Sequence, residues 1–115
     1  MQYMLLIRGD ESAQLSAAES AYMEKATLAW VEEMDGRGVR LRGSRLRPVA
    51  DATTVRVRGT EVLLSDGPFA ETKEQIAGFD LIECANLDEA IEVAAKHPMA
   101  AFWSIEVRPL WPDHD

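Results

Sequence analysis

The feature that most constrains this chain is the order in which its hydrophobic period changes. Gln2 to Arg8 (QYMLLIR) is a nearly continuous apolar run, which reads as a central strand covered on both faces. Ser16-Ala17-Ala18-Glu19 is then a capping box, in which Ser16 and Glu19 satisfy each other's backbone amides at a helix start. The helix it opens carries Ala18, Tyr22, Ala26, Trp30 and Met34 at four-residue spacing with Met23 beside them, a stripe expected to lie on a sheet, and Gly36 and Gly38 end it. VRLRGSRLRP is extended, broken by Gly43 and stopped by Pro48. TTVRVRGTEVLLS alternates around Gly59-Thr60, a pair suited to a type II′ hairpin turn, with Arg56 and Arg58 on one face and Val55 and Val57 on the other. GFDLIEC is a further strand. Asn86, with Glu89 three residues on, caps a second helix marked by Leu87, Ala90, Ile91, Ala94 and Ala95, which Pro98 is expected to stop. FWSIEVRP is the last strand, with Trp103, Ile105 and Val107 on one side and Ser104, Glu106 and Arg108 on the other.

The order is β-α-β, a hairpin, then β-α-β. That is a ferredoxin-like α+β pattern with an extra β-hairpin, in which an antiparallel sheet carries both helices on one face. The other face then needs cover, and a second copy of the chain supplies it most simply. Trp111, in an extended tail with no core position left for it, is expected to cross to that copy.

The size fits one domain spanning residues 1–115. The longest apolar runs are a few residues, far below the roughly 20 that span a bilayer, and no secretory signal precedes the first strand. The single cysteine, Cys84, excludes an intrachain disulfide and fits the cytoplasm. The net charge is −8, but seven arginines between Arg37 and Arg58 face one acid, Asp51, so that segment is +6 and the remainder −14. The arginines form either a solvated face balanced by acidic neighbours or an anion-recognising surface built on the guanidinium fork. A nucleic-acid surface is disfavoured, because no aromatics interleave with them and the chain is acidic overall.

Four stretches, MQYMLLIRGDE, TTVRVRG, DGPFAETKEQIAGFDLIE and SIEVRPL, together resemble the YCII-related (YciI-like) family, specifically its DGPF-motif subfamily, from Tyr3 to Leu110. The resemblance implies a dimeric α+β barrel, with the sheet of one protomer packed against that of its twin. It implies kinship with muconolactone-isomerase-type barrels and with dehydrochlorinase-like enzymes thought to use a His–Asp pair. It also implies a regulatory setting, since DGPF proteins often accompany extracytoplasmic-function sigma factors. The histidine of that pair belongs to the first helix region, and Ser12 to Gly38 contains none. Only the aspartate, Asp66, matches.

In Asp66-Gly67-Pro68-Phe69 an Asp that can bond its own downstream amides, a Gly open to positive φ and a Pro with preset φ make a sharp reversal, which Phe69 anchors on the core. Asp66 is either an Asx-turn former only or a functional carboxylate. Glu71 to Glu74 fit one helical turn, with Glu71 and Glu74 on one side and Lys73 between them. A desolvated carboxylate here acquires the raised pKa that general acid or base work needs, which makes Asp66 and Glu71 the candidate catalytic residues. Arg42, Ser44 and Arg45 at the Gly43 bend, with Phe69, Lys73 and Glu74, are the candidate ligand-binding residues for a small organic anion. No metal-ligand spacing and no phosphate loop appears, so no cofactor is expected. Cys84 reads as a small buried hydrophobe, and His97 as a helix C-terminal residue favoured by the dipole. His114 lies in the tail. Two functions remain open: a ligand-binding or regulatory dimer with a transcription (sigma-factor) partner, and a cofactor-free isomerase or dehydrochlorinase-like lyase.

Overall fold

A computed structural model describes residues 1–68 and 74–112. The elements run β1 (Gln2–Gly9), α1 (Ala17–Gly36), β2 (Arg40–Arg45), β3 (Thr53–Arg58), β4 (Glu61–Asp66), β5 (Gln75–Glu83), α2 (Leu87–Ala95), α3 (Pro98–Phe102) and β6 (Ser104–Pro109). The four-stranded sheet has the order β2-β5-β1-β6, with every pair antiparallel. With β3 and β4 set aside, this is the ferredoxin-like βαββαβ topology. β3 and β4 form a separate two-stranded ribbon. No helix among the described residues is long and apolar enough to cross a membrane.

The local signals act as expected at both main helix starts. The Ser16 hydroxyl accepts from the Glu19 amide at 3.1 Å, and the Glu19 carboxylate accepts from the Ser16 amide at 2.9 Å. Asn86 accepts from the Glu89 amide at 3.0 Å. Gly59 has φ 62° and no described non-glycine residue has positive φ, so Thr60 takes a negative one, in agreement with a type II′ turn.

One sheet face carries the core. Tyr3 and Leu5 of β1, Ile82 of β5 and Cys84 just beyond it pack under Trp30 and Met34 of α1 and Ala90, Val93 and Ala94 of α2. Each fully buried Leu or Ile side chain contributes about 1.5–3 kcal/mol, so Leu5, Ile82 and their neighbours hold both helices to this face. The Trp30 indole also donates to the Val93 carbonyl at 2.9 Å, which ties the helices together.

The structure corrects several expectations. Tyr22 is 68% exposed, and the buried stripe of α1 is Met23, Trp30 and Met34. On α2 the inward face is Ala90, Val93 and Ala94, while Leu87 and Ile91 are about half exposed. Both helices are thus rotated about their axes relative to the simple four-residue stripe. Pro98 does not merely stop α2, because it opens α3 at the first helical position, where its missing amide costs nothing. His97 is therefore the N-cap of α3 rather than a solvated C-terminal cation. It is 3% exposed, its Nδ1 accepts from the Met99 amide at 3.0 Å, and its ring lies 4.6 Å from Trp30. Burial alone pushes its pKa down to about 4, so the ring is neutral at pH 7.

Among the described residues no helix lies on the second sheet face, and β1 is covered on one side only. The Cα framework is 18 Å along its shortest axis, the thickness of one helix layer on one sheet. Its radius of gyration is 16.3 Å, against about 13 Å for a compact chain of this size, because the β3–β4 ribbon stands out from the body.

Candidate functional site

The registers lay out the uncovered face. Arg42 pairs with Leu81, Leu81 with Met4, and Met4 with Arg108. The next row on this face is Ser44, Phe79, Leu6 and Glu106. Since alternate residues share a face, Met4, Leu6, Phe79 and Leu81 make an apolar square two residues wide and two deep. Arg42 and Ser44 flank it on the β2 side, and Glu106 and Arg108 on the β6 side. All four apolar residues are partly exposed. Arg108 pairs with Glu106, which also lies 3.4 Å from Arg8. Arg42 is exposed and makes no ion pair among the described residues.

Arg45 is turned away from this group. A register shift between Arg40 and Arg42 leaves Leu41 as the extra residue and places Arg40, Gly43 and Arg45 on the helix side, opposite Ile82, Asp80 and Gly78. The proposed anion donors are therefore divided, with Arg42 and Ser44 on the open face and Arg45 on the other.

Asp66 is exposed as the last residue of β4, paired with Thr53. The reversal begins at Gly67, with φ 91°, whose amide donates to Ala52 O at 2.7 Å while its carbonyl accepts from the Thr54 hydroxyl at 2.9 Å. The motif thus locks the base of the ribbon. Glu74 is exposed at the entry to β5. Phe69, Glu71 and Lys73 lie outside the described residues, as does His114. On the helical side, Leu15, Ala18, Glu19, Tyr22, Met23 and Phe102 line a shallow, mostly apolar cavity of about 290 Å³.

A buried charge that the sequence reading passed over sits under β2. Asp80 is 5% exposed and accepts from Arg40 Nε at 2.8 Å, and Arg40 reaches Asp35 at 3.4 Å. Burial raises the Asp80 pKa above the usual carboxylate value, and the Arg40 hydrogen bond and charge oppose that rise. Gly43 makes room for it: a Cβ there would lie 1.9 Å from an Asp80 carboxylate oxygen. The signal was available, because in Gly78-Phe79-Asp80-Leu81-Ile82 the acid falls on the same side as Ile82. The remaining arginines divide similarly. Arg37 grips Glu92 at 2.8 and 3.1 Å, and Arg47 meets Asp51 at 3.0 Å. Arg37, Arg40 and Arg47 are thus balanced by acidic neighbours, whereas Arg42, Arg45 and Arg58 make no ion pair among the described residues. Cys84 is buried, and burial raises its thiol pKa, as suits a small core residue. Among the described residues, no group of three His, Cys, Asp or Glu side chains could hold a metal ion.

An uncharacterized protein of Rhizobium meliloti (strain 1021) is 42% identical over 126 residues, covering 96% of this chain and 92% of its own length. The model of the YCII-related domain matches residues 1–113, and the chain belongs to the YCII-related family.

Proposed function

We propose that this YCII-related chain acts in the cytoplasm as a homodimeric module that binds a small organic anion. The observation that carries the reading is the pairing of Arg42 and Ser44 with an apolar square on a sheet face that no helix covers. A guanidinium beside Leu81 suits a carboxylate on an apolar or aromatic body, and the Ser44 hydroxyl, which donates to the Arg45 carbonyl at 2.9 Å, turns from it to join the ligand. A second copy over this face, as in a dimeric α+β barrel, excludes water and strengthens the ion pair. Binding is favoured over proton-transfer catalysis because His97, the histidine among the described residues, is spent on capping α3 and faces the core. Ligand-dependent contact with a transcription partner such as a sigma factor is the regulatory extension of this reading.

Calorimetric titration with benzoate, with acetate as the control lacking an apolar body, tests it. Benzoate is expected to bind the native protein, and Arg42→Ala to weaken it about tenfold, as loss of one charge-assisted contact does. Equal affinity in Arg42→Ala, or no heat with benzoate, overturns the assignment.

A further inference from the structure

A regular strand would put Arg40 and Arg42 on the same side, since alternate residues share a face. In the structure they lie on opposite sides, Arg40 opposite Ile82 on the helix side and Arg42 opposite Leu81 on the open face. The bulge at Leu41 makes the difference, because one extra residue turns every side chain beyond it to the other face. Without the bulge Leu41 would pair with Leu81 and Arg42 with Asp80, and the open face would lose its guanidinium.

A bulge sacrifices regular ladder pairing, so something must hold it. The start of β2 is fixed by its neighbour Val39, which is 7% exposed in the core. The Val39 amide donates to the Met34 carbonyl at 3.0 Å, and its carbonyl accepts from the Glu83 amide at 2.8 Å. A change of register must therefore come from the residues after Arg40, and there the buried ion pair intervenes. Asp80 accepts from Arg40 Nε at 2.8 Å, and the two side chains meet directly over Gly43. A Cβ on residue 43 would stand 1.9 Å from an Asp80 carboxylate oxygen and 2.8 Å from an Arg40 terminal nitrogen. Only glycine fits opposite Asp80 while the pair is made, and only the bulged register puts Gly43 there. In the regular register Arg42 takes that place, and its Cβ meets the carboxylate. The pair and the bulge require each other. A buried ion pair adds little net stability over apolar residues of similar volume, and its best-attested use is to fix a register.

We propose that Asp80 and Arg40 are positioning residues of the anion site. They touch no ligand. From the helix side of the sheet they lock β2 in its bulged register, and the bulge delivers Arg42 to the open face beside Leu81. This inference rests on the reading of Arg42 as the anion-binding residue and adds the device that places it.

Calorimetric titration with benzoate tests this on the native chain, on Asp80→Ala, on Asp80→Asn and on the combined Arg40→Met/Asp80→Ala variant. Interstrand nuclear Overhauser contacts of Gly43 read the register directly. Asp80→Ala is expected to bind benzoate about tenfold more weakly, as Arg42→Ala does, and its Gly43 contacts to move from position 80 to Phe79. Asp80→Asn still offers Arg40 an oxygen over Gly43 and is expected to recover most of that loss. The combined variant leaves no buried charge unpaired, so it is expected to regain stability in urea unfolding. It should nevertheless bind as weakly as Asp80→Ala, because neither half of the lock remains. Binding that returns with stability in the combined variant marks a purely structural pair and overturns the proposal. Gly43 contacts that stay at position 80 in Asp80→Ala overturn it as well. No benzoate binding by the native chain overturns the anion site and this assignment with it, whereas equal binding by the native chain and Asp80→Ala overturns the positioning role alone.

Discussion

His97 should make the fold lose stability in mildly acidic solution, before any carboxylate does. The ring is neutral and desolvated when folded, with a pKa of about 4, and its unfolded reference is 6.5. Above pH 6.5 both states hold the neutral ring and nothing is at stake. As the pH falls from 6.5 to 4, the unfolded chain binds a proton that the folded chain refuses, so the unfolded state gains. The stability that depends on a neutral His97 is thus fully present above pH 6.5 and lost as pH falls through about 4. At 1.36 kcal/mol per pKa unit the whole effect is about 3 kcal/mol, of which about 2 kcal/mol is already lost at pH 5. Against a domain stability of about 5–15 kcal/mol this is readily measured.

The assay is urea unfolding at pH 7, 6 and 5, with His97→Asn as the reference. Asparagine can still accept from the Met99 amide as an N-cap but does not titrate. His97→Asn loses the packing of the imidazole on Trp30 and is expected to be less stable at pH 7, so the diagnostic quantity is the slope against pH. Other titrating groups cancel in that comparison. Glu19 and Glu92, lowered by hydrogen bonds from Ser16 and from Arg37, lose their contribution only below pH 4.5, and Asp80, raised by burial, works in the opposite sense. The native protein should lose about 2 kcal/mol more than His97→Asn between pH 7 and 5. Parallel curves would refute the argument, and so would a His97 ring resonance that titrates near 6.5.

Three further outcomes follow from the geometry. Gly67→Val should lower stability by about 1–3 kcal/mol because φ 91° is closed to a β-branched residue, whereas Gly36→Val, exposed and at ordinary φ, provides a mild control; equal melting temperatures for Gly67→Val and the native chain would sink this. Asp80→Ala should cost about 3 kcal/mol by leaving Arg40 beneath β2 with only Asp35, and chemical denaturation checks it. Gly43→Ala should be similarly harmful, because its Cβ displaces the Asp80 carboxylate from Arg40; adding Asp80→Ala to Gly43→Ala should cost far less than the sum of the two, and additive losses would contradict the shared cause.

The architecture was legible because its signals are local. The capping box at Ser16, the Asn86 cap and the Gly59-Thr60 turn each depend on a few adjacent residues, and strand alternation places side chains without reference to the rest of the chain. Helix facing was less legible. Tyr22 and Trp30 both belong to the four-residue stripe, yet a straight helix drifts about 40° per four-residue step and so about 80° between these two, and only part of a long stripe can stay on the sheet. The α3 turn was missed because Pro98 reads equally well as a stop and as a start. Asp80 was missed because its neighbours, Arg40 and Gly43, come from a strand about forty residues away, and only the tertiary register brings them together.

The hardest part to read was how the hairpin sits relative to the body. Alternation shows that Val55, Val57, Val62 and Leu64 share a side of the hairpin, and that Met4 and Leu6 share a side of β1. It cannot show that the hairpin stands clear of its own body, because that depends on where Gly67 and Ala52 lock its base. The same lock fixes the place of Asp66, the last residue of β4, beside Gly67. It holds the aliphatic strip and the Asp66 carboxylate on one rigid face, in a fixed order along β4. At this motif the described residues make a corner: Gly67 turns the chain at φ 91°, and its bonds to Ala52 and Thr54 close the base of the ribbon.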